Sequence, residues 1–513
     1  VSHLVILPLL LPLVAGSVLL LASRLADGVR RSIGLVATLA LLPIALLMME
    51  RVGDGSHIVY ALGAWSPPFG IVLVADRLAA LMLLLTSVVA IASLVYATCG
   101  EDTAGAHFHA LFQFQLLGIN GAFLTGDLFN MFVFFEVMLI AFYTLLLHGL
   151  GPQRVGAAVQ VVVLNLIGSA LFLFAVGTLY GVTGTLNLAD LARVIPQLGP
   201  DTAPIARSGA LLLLGVFALK AALLPLGLWL PRAYGAATAA VAALFAVLTK
   251  VGVYAILRVY PLAFGPEAGL LADVAEPWVL PIALATLTFG ALGALGARAL
   301  RPAAGWLVLY SVGTLLVAVG LFSEAGYAAA VYYTAHSTLV SAALFLIVDL
   351  VARRRVNGGD RLEVVDSMPH AGLLGSLFFV AAVAMAGLPP LTGFTGKIMI
   401  LDAAAASGRV ALTWSILLVT ALVVIVALAR SGSAIFWRTA AEGGGPAGAI
   451  AAPPLPRRAV GAAVALLACL AAMIVWGGSA TAYAWSTARQ LAEPTGYIEA
   501  VLGSAPDDRR SLR

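Results

Sequence analysis

The sequence of 513 residues is 62% hydrophobic and only 10% charged, with a formal net charge of +4 and a mean hydropathy of +1.05. A soluble domain carries about 25% charged residues, so this composition excludes a soluble enzyme, a disordered chain and a coiled coil. A bilayer-spanning helix needs about 20 apolar residues, and the chain reads as an all-α polytopic membrane protein.

Apolar runs between charged or Pro/Gly-rich breaks predict about fourteen spans, at 3–23, 32–50, 76–98, 108–126, 128–149, 155–180, 208–230, 236–259, 276–297, 303–322, 326–350, 371–402, 410–437 and 458–484. The first run lacks a basic flank and a small-residue cleavage pattern, so it is expected to be a mature span and not a signal peptide. The longest connections, 51–75, 181–207 and 351–370, are too short for a folded soluble module. Two spans are interrupted. Pro225 sits inside 218–233, which ends at Pro231, and the run 386–400 contains Pro389, Pro390, Gly393 and Gly396. Proline removes a backbone hydrogen bond and clashes with the preceding turn, and unwound backbone at membrane depth survives only where protein or a water-filled cavity satisfies it. Interrupted segments in two halves of a chain point to a transport site between repeats. The polar tail after Thr487 is expected to lie along the membrane or a partner.

Two cysteines, Cys99 and Cys469, are too few for an iron–sulfur cluster or a disulfide framework. The histidines form no HExxH and no i, i+4 pair, and His107 and His109 are expected at an interface. No glycine-rich phosphate loop is present, so no cofactor and no resident metal are expected.

The basic residues divide into two populations. Of 28, only Lys220, Lys250 and Lys397 are lysine, and each falls inside an apolar run. The 25 arginines fall almost entirely in the gaps, 15 of them on one side of a fourteen-span path, which predicts that side to be cytoplasmic and both termini to be outside.

Glu136 lies in GDLFNMFVFFEVMLIAFY with no partner charge at helical spacing. An ionisable residue at mid-bilayer costs roughly 2.5–3.5 kcal/mol on the insertion scale and faces the bundle interior. Lys220 precedes Pro225 by five residues, too deep to snorkel comfortably, and a Lys220–Glu136 pair would hold a proton whose affinity depends on their separation. Lys250 lies two turns inside Arg258, and Lys397 follows the broken LPPLTGF segment, where freed carbonyls could solvate its ammonium. His336 stands in VYYTAHSTLVSAALFL, the most polar stretch of any span, and histidine is the side chain suited to exchange a proton near neutral pH. Asp349, beside Arg353–Arg355, is expected in an interfacial ion pair. One buried carboxylate, three lysines and a histidine suit proton transfer better than a bound metal cation, which prefers several oxygen ligands.

The segments FALKAALLPLGLWLPRAYGAATAAVAALFAVLTKVGVYAILR and AGLPPLTGFTGKIMIL strongly resemble the antiporter-like subunits shared by respiratory complex I, membrane-bound hydrogenases and Mrp-type multisubunit cation/proton antiporters. TGDLFNMFVFFEVMLIAFYTLLLHG is most similar to the D-type subunits of the Mrp-type antiporters. The resemblance, over about residues 70–440, implies fourteen helices with two inverted five-helix repeats and broken helices seven and twelve. It divides the chain into 1–107 (helices one to three), 108–260 (first repeat), 275–440 (second repeat) and 441–513 (helix fourteen and tail). It also implies a proton path through Glu136, Lys220, Lys250, His336 and Lys397. Many relatives carry a lysine shortly after the helix-eleven histidine, whereas this chain has Ser341-Ala342-Ala343, so transfer there is expected to rely more on water and hydroxyls. The implied function is a proton-conducting subunit of a Na⁺/H⁺ antiporter in a bacterial plasma membrane. Its implied partners are a larger homologous subunit and several small membrane subunits. The alternative is a proton-pumping membrane subunit of complex I or a hydrogenase.

Overall fold

The computed structural model describes residues 2–22, 24–355, 358–363, 368–437 and 455–503. Among the described residues, eleven helices are long and apolar enough to cross a membrane, and two shorter apolar helices, Leu7–Leu21 and Ala371–Ala386, accompany them. The protein is an all-α polytopic membrane protein apart from one small hairpin.

Helices α1 (Leu7–Leu21) and α2 (Asp27–Arg51) lead to strands β1 (Ile58–Ala61) and β2 (Val72–Ala75), which pair antiparallel with Ile58 opposite Ala75. This hairpin lies in a connection where the sequence suggests no regular element; its four-residue strands are too short to show alternation, and β1 is half-buried throughout. Next come α3 (Arg77–Ala97), α4 (Phe108–Leu124), α5 (Leu128–Leu146), α6 (Pro152–Thr183) and the short α7 (Leu188–Val194). The starts follow the capping chemistry of the sequence: Asp76, Asp127 and Asn187 accept backbone N–H groups of α3, α5 and α7, and Pro152 opens α6.

The central part comprises α8 (Ala203–Lys220), α9 (Trp229–Ala236), α10 (Ala239–Phe245), α11 (Leu248–Ala263), α12 (Glu276–Gly296), α13 (Leu300–Val319) and α14 (Glu324–Arg354). Then follow α15 (Ala371–Ala386), α16 (Thr392–Ala406), α17 (Val410–Gly432), α18 (Arg457–Val475), α19 (Gly477–Ala492) and α20 (Thr495–Leu502). Residues 441–454 and 504–513 of the expected last unit lie outside the described residues, as does Arg438. The polar stretch after Thr487 continues α19 to Ala492 and forms α20 from Thr495 to Leu502, with Tyr497 and Val501 buried against the bundle.

Burial separates two classes of helix. The α10–α11 segment is buried throughout, α13 and α14 nearly so, whereas α2, α6, α17 and α18 bury only a minority of their apolar windows. The outer helices display Val36, Leu166, Phe174, Val419 and Leu422, as a surface facing lipid or partner helices requires. A helix apolar all round is a core helix, and α11 and α14 are where two of the lysine and histidine candidates reside.

The two ends of the bundle are tied by ion pairs. At one end Asp349 meets Arg301 and Arg353, and Arg353 also bonds Glu101 at 2.7 Å, while Arg31 holds Asp102 at 2.5 and 2.8 Å. The expected pairing of Asp349 with the Arg353–Arg355 cluster is present through Arg353, and it extends to the distant Arg301 and to Tyr96, whose hydroxyl donates to it at 2.6 Å. Burial works against the Asp102 carboxylate's charge, but hydrogen bonds from Arg31 and His109 outweigh it and hold its pKa below the ordinary value. His107 is exposed as an interfacial residue should be, but His109 is buried against Asp102.

Candidate functional site

The titratable side chains of α5, α8, α14 and α16 each meet a neutral polar neighbour, whereas Lys250 of α11 meets none. Glu136, half-buried on α5, accepts a short hydrogen bond from the Ser169 hydroxyl of α6. One helical turn earlier on the same face of α6, Asn165 accepts from Lys220 Nζ at 3.2 Å, and its own Nδ2 donates to the Val161 carbonyl at 3.0 Å. The expected Lys220–Glu136 pair is therefore not a direct contact: no ion pair joins them among the described residues, although Lys220 lies within the field of Glu136. The Ser169/Asn165 face of α6 stands between the carboxylate and the ammonium. Sequence reading missed both residues; the available signal was two polar side chains four apart in an otherwise apolar run.

Lys220 is the last residue of α8, and the chain leaves the α-helix there until Trp229. Pro225 lies in that interval, which removes the possibility of a continuous ladder. The freed groups find partners in neighbouring elements. Leu224 N–H donates to Thr286 Oγ1 of α12 at 3.0 Å, Leu223 N–H returns to the Ala218 carbonyl at 2.8 Å, and Trp229 Nε1 donates to the Leu219 carbonyl at 3.4 Å.

Gly252 of α11 packs directly on this terminus: a Cβ there would lie 2.4 Å from Ala221 N and 2.7 Å from the Lys220 carbonyl carbon. Two residues earlier on α11, Lys250 is 1% exposed and its Nζ has no hydrogen-bond partner. Thr249 Oγ1, Ser341 Oγ and His336 Nε2 are likewise buried and unpaired. Each such group forfeits about 1–3 kcal/mol unless satisfied, so their concentration on α11 and α14 makes a polar patch in an otherwise apolar interior.

His336 Nδ1 hydrogen-bonds Thr392 Oγ1 at 2.8 Å, and the ring lies within the field of both Lys250 and Lys397. Thr392 opens α16 directly after the Pro389-Pro390 interval. Gly393 follows, and a Cβ on it would lie 2.9 Å from His336 Nε2 and 2.1 Å from the Ala384 carbonyl oxygen. Lys397 Nζ donates to the Ala386 carbonyl, at the end of α15, at 2.5 Å, and sits 5.2 Å from the Tyr310 ring centroid. This is the solvation by a freed carbonyl that the broken segment suggests. Thr392 as the partner of His336 is a hydroxyl where the sequence anticipates one, though its position across 56 residues is not readable locally.

Gly387 shapes the lysine's seat. Its φ is +75°, and a Cβ on it would lie 2.7–2.9 Å from Lys397 Cδ, Nζ and Cε. Gly387→Ala is expected to lower the thermal stability of the detergent-purified protein by about 1–3 kcal/mol, from left-handed backbone strain and the displaced ammonium. An unchanged melting temperature would contradict that seat.

No group of three or more His, Cys, Asp or Glu among the described residues could hold a metal ion. The arrangement brings together hydrogen-bonded and unpaired titratable groups in the interior of the bundle.

Residues 125–425 match the family described as NADH:quinone oxidoreductase/Mrp antiporter, transmembrane. The chain is 40% identical to a probable K⁺/H⁺ antiporter protein of the D type from Rhizobium meliloti, over 98% of this chain and 98% of that protein. It is 35% identical to the D-type protein of the Na⁺/H⁺ antiporter from Alkalihalophilus pseudofirmus, covering 98% and 99% respectively. A chain in the solved structure of the Mrp complex from Dietzia sp. superposes with a TM-score of 0.85 at 29% identity, over 98% of this chain and 99% of that one.

Proposed function

This chain belongs to the NADH:quinone oxidoreductase/Mrp antiporter family, and within it to the D-type members of Mrp antiporters, which are multi-pass transporter components and not enzymes; on that premise we propose that it conducts protons along Glu136, Lys220, Lys250, His336 and Lys397 to drive cation efflux by a multisubunit complex. The observation that carries this reading is that all three lysines of the chain are buried in the bundle, each held by neutral groups or by none. A buried ammonium with no carboxylate in direct contact is costly to keep in a membrane-spanning helix and marks a functional position. Ser169 and Asn165 bridge the first step, Gly252 brings the Lys220 terminus against the Lys250 helix, and Thr392 joins His336 to the interval before Lys397. Ordered water beside Lys250 Nζ, Thr249, Ser341 and His336 Nε2 would complete the file. A membrane potential of 100 mV supplies about 2.3 kcal/mol per charge moved, comparable to the cost of leaving one such group unpaired.

The architecture fits the same proposal. α8 and α9 form the two halves of an interrupted helix seven, and α15 and α16 those of helix twelve. The inverted repeats occupy 108–260 and 275–440 of about fourteen helices, with 1–107 before them and 441–513 after. Both termini lie outside, with the arginine-rich loops cytoplasmic. The exported cation is Na⁺. One relative is named for K⁺ and another for Na⁺, and the same assay with each ion separates them. The partners are a larger homologous subunit and several small membrane subunits.

Everted membrane vesicles carrying the whole complex test the proposal. Adding Na⁺ to respiring vesicles should dissipate ΔpH with the wild-type chain and not with Glu136→Ala or Lys220→Ala at normal expression. Wild-type exchange by either variant would overturn the path. Co-purification in mild detergent tests the partners: small multispan chains support the antiporter, whereas iron–sulfur chains would place the protein in a redox complex.

A further inference from the structure

The polar face of α11 does not stop at Lys250. Lys250, Tyr254 and Arg258 follow one another at four-residue spacing, so they lie in one row leading from the buried ammonium to the end of the bundle away from Glu101 and Arg353. Beyond Lys250 the row changes character. Tyr254 donates its hydroxyl hydrogen to the Phe123 carbonyl at 2.5 Å and accepts from Arg258 Nε at 3.2 Å. Arg258 forms two bonds with Asp76, Nη1 to Oδ2 at 2.6 Å and Nη2 to Oδ1 at 2.8 Å, with the two side chains 5% and 1% exposed. Asp76 also caps α3 through Ala79 N–H at 2.9 Å, which fixes it to the bundle.

A segment remote in sequence covers this pair. Tyr497 of α20 is buried with its ring centroid 5.4 Å from the Arg258 guanidinium, while Tyr254 lies at 5.3 Å, so the cation is in contact with two aromatic rings. His57, in the connection before β1, stacks edge-on against Tyr497 at 5.7 Å, and Gln490 of α19 donates to the Gly55 carbonyl at 2.9 Å. The space left between Asp76, Arg258 and Tyr497 is only about 10 Å³. This is less than or barely equal to the room one water needs.

We propose that the Arg258–Asp76 pair, covered by Tyr497, is a charge seal that closes the α11 row to the bundle face opposite the arginine-rich loops. A fixed guanidinium across a narrow polar passage repels protons and cations. Its bidentate carboxylate, which also caps α3, keeps it in place with three of its acceptor positions already taken. The seal lets Lys250 exchange protons with its neighbours in the path while barring direct leakage past Tyr254. The inference rests on Lys250 carrying a proton as proposed above, and it assigns to α20 and the connection before β1 a role in coupling.

The test uses the whole complex, purified and reconstituted in liposomes with an internal pH dye, in buffers free of Na⁺ and K⁺, with a lipophilic counter-ion to balance charge. After a pH step, wild-type vesicles should equilibrate slowly. Tyr497→Ala and Arg258→Gln should leak about tenfold faster, as loss of a contact of cation–π strength predicts. Adding Lys250→Met to Tyr497→Ala should return the leak to the wild-type rate, because the row then lacks its inner proton carrier. Wild-type leak in an intact Tyr497→Ala complex would overturn the seal, as would a leak that persists in the double variant. If Arg258→Gln fails to assemble, Tyr497→Ala and its double variant decide alone. Cation-driven exchange by the Lys250→Met single variant reports separately on the path: retained exchange there removes the path, whatever the leak rates.

Discussion

Replacing Lys250 with methionine should raise the stability of the detergent-purified protein by about 1–3 kcal/mol and abolish cation-driven proton exchange. The two effects share one cause. Lys250 Nζ is buried and has no hydrogen-bond partner, so its charged form is uncompensated in the interior. Replacing poorly compensated buried ionic groups by hydrophobic residues of similar volume is often neutral or stabilising by about 1–4 kcal/mol, and methionine keeps an unbranched side chain only one atom shorter. The other two lysines provide the contrast. Lys220→Met leaves Asn165 Oδ1 without its donor, and Lys397→Met leaves the Ala386 carbonyl and the Tyr310 ring without theirs. Those substitutions should gain less stability or lose some, since an orphaned buried acceptor costs about 1–3 kcal/mol. Thermal melts of the three variants beside the exchange assay check the ordering. A structural Lys250 would show the opposite pattern, with stability lost and exchange retained in proportion to folded protein.

What the sequence discloses about this site follows from how membranes treat charge. Glu136, Lys220, Lys250 and Lys397 are conspicuous because each interrupts an apolar run where an unneeded charge would be selected out by its insertion cost. The proline-rich intervals are conspicuous for the same kind of reason, since a helix cannot continue through them, and the helices do end at Lys220 and Ala386. The neutral members are silent. Asn165, Ser169, Thr286 and Thr392 act through contacts 33 to 62 residues distant, and serine, threonine or asparagine in an apolar helix is cheap enough to need no functional reason. The interruption between α10 and α11 is also silent, because Ala246 and Val247 contain no helix breaker. By contrast, the break at Trp476, where α18 ends at Val475 and α19 begins at Gly477, does carry a signal in the Gly477-Gly478 pair, which the expected span of 458–484 runs through. Charge and proline are therefore legible one residue at a time, whereas the hydroxyls and amides that connect them become legible only when the helices are packed.

Gly252 is where packing and the path meet, and Gly252→Ala should reduce exchange far more than it reduces stability. The added Cβ would meet Ala221 N at 2.4 Å and the Lys220 carbonyl carbon at 2.7 Å, both backbone atoms that cannot rotate aside. The conflict must therefore be relieved by moving α11 away from the end of α8, and overpacking of this kind costs about 1–3 kcal/mol. Because Lys250 is two residues from Gly252 and Lys220 is one of the atoms' owners, the same movement widens the gap between the two ammonium groups. Transfer between positioned groups is steep in distance: a misplacement of about 1 Å can cost about 10²-fold in rate. Gly177→Ala on the outer face of α6 is the matched control, since a Cβ there meets nothing within 4 Å. It should stabilise the helix by up to about 1 kcal/mol and leave exchange unchanged. Equal losses of stability and exchange in Gly252→Ala, or retained exchange at the wild-type rate, would show that the close approach of α11 to the Lys220 terminus serves packing alone.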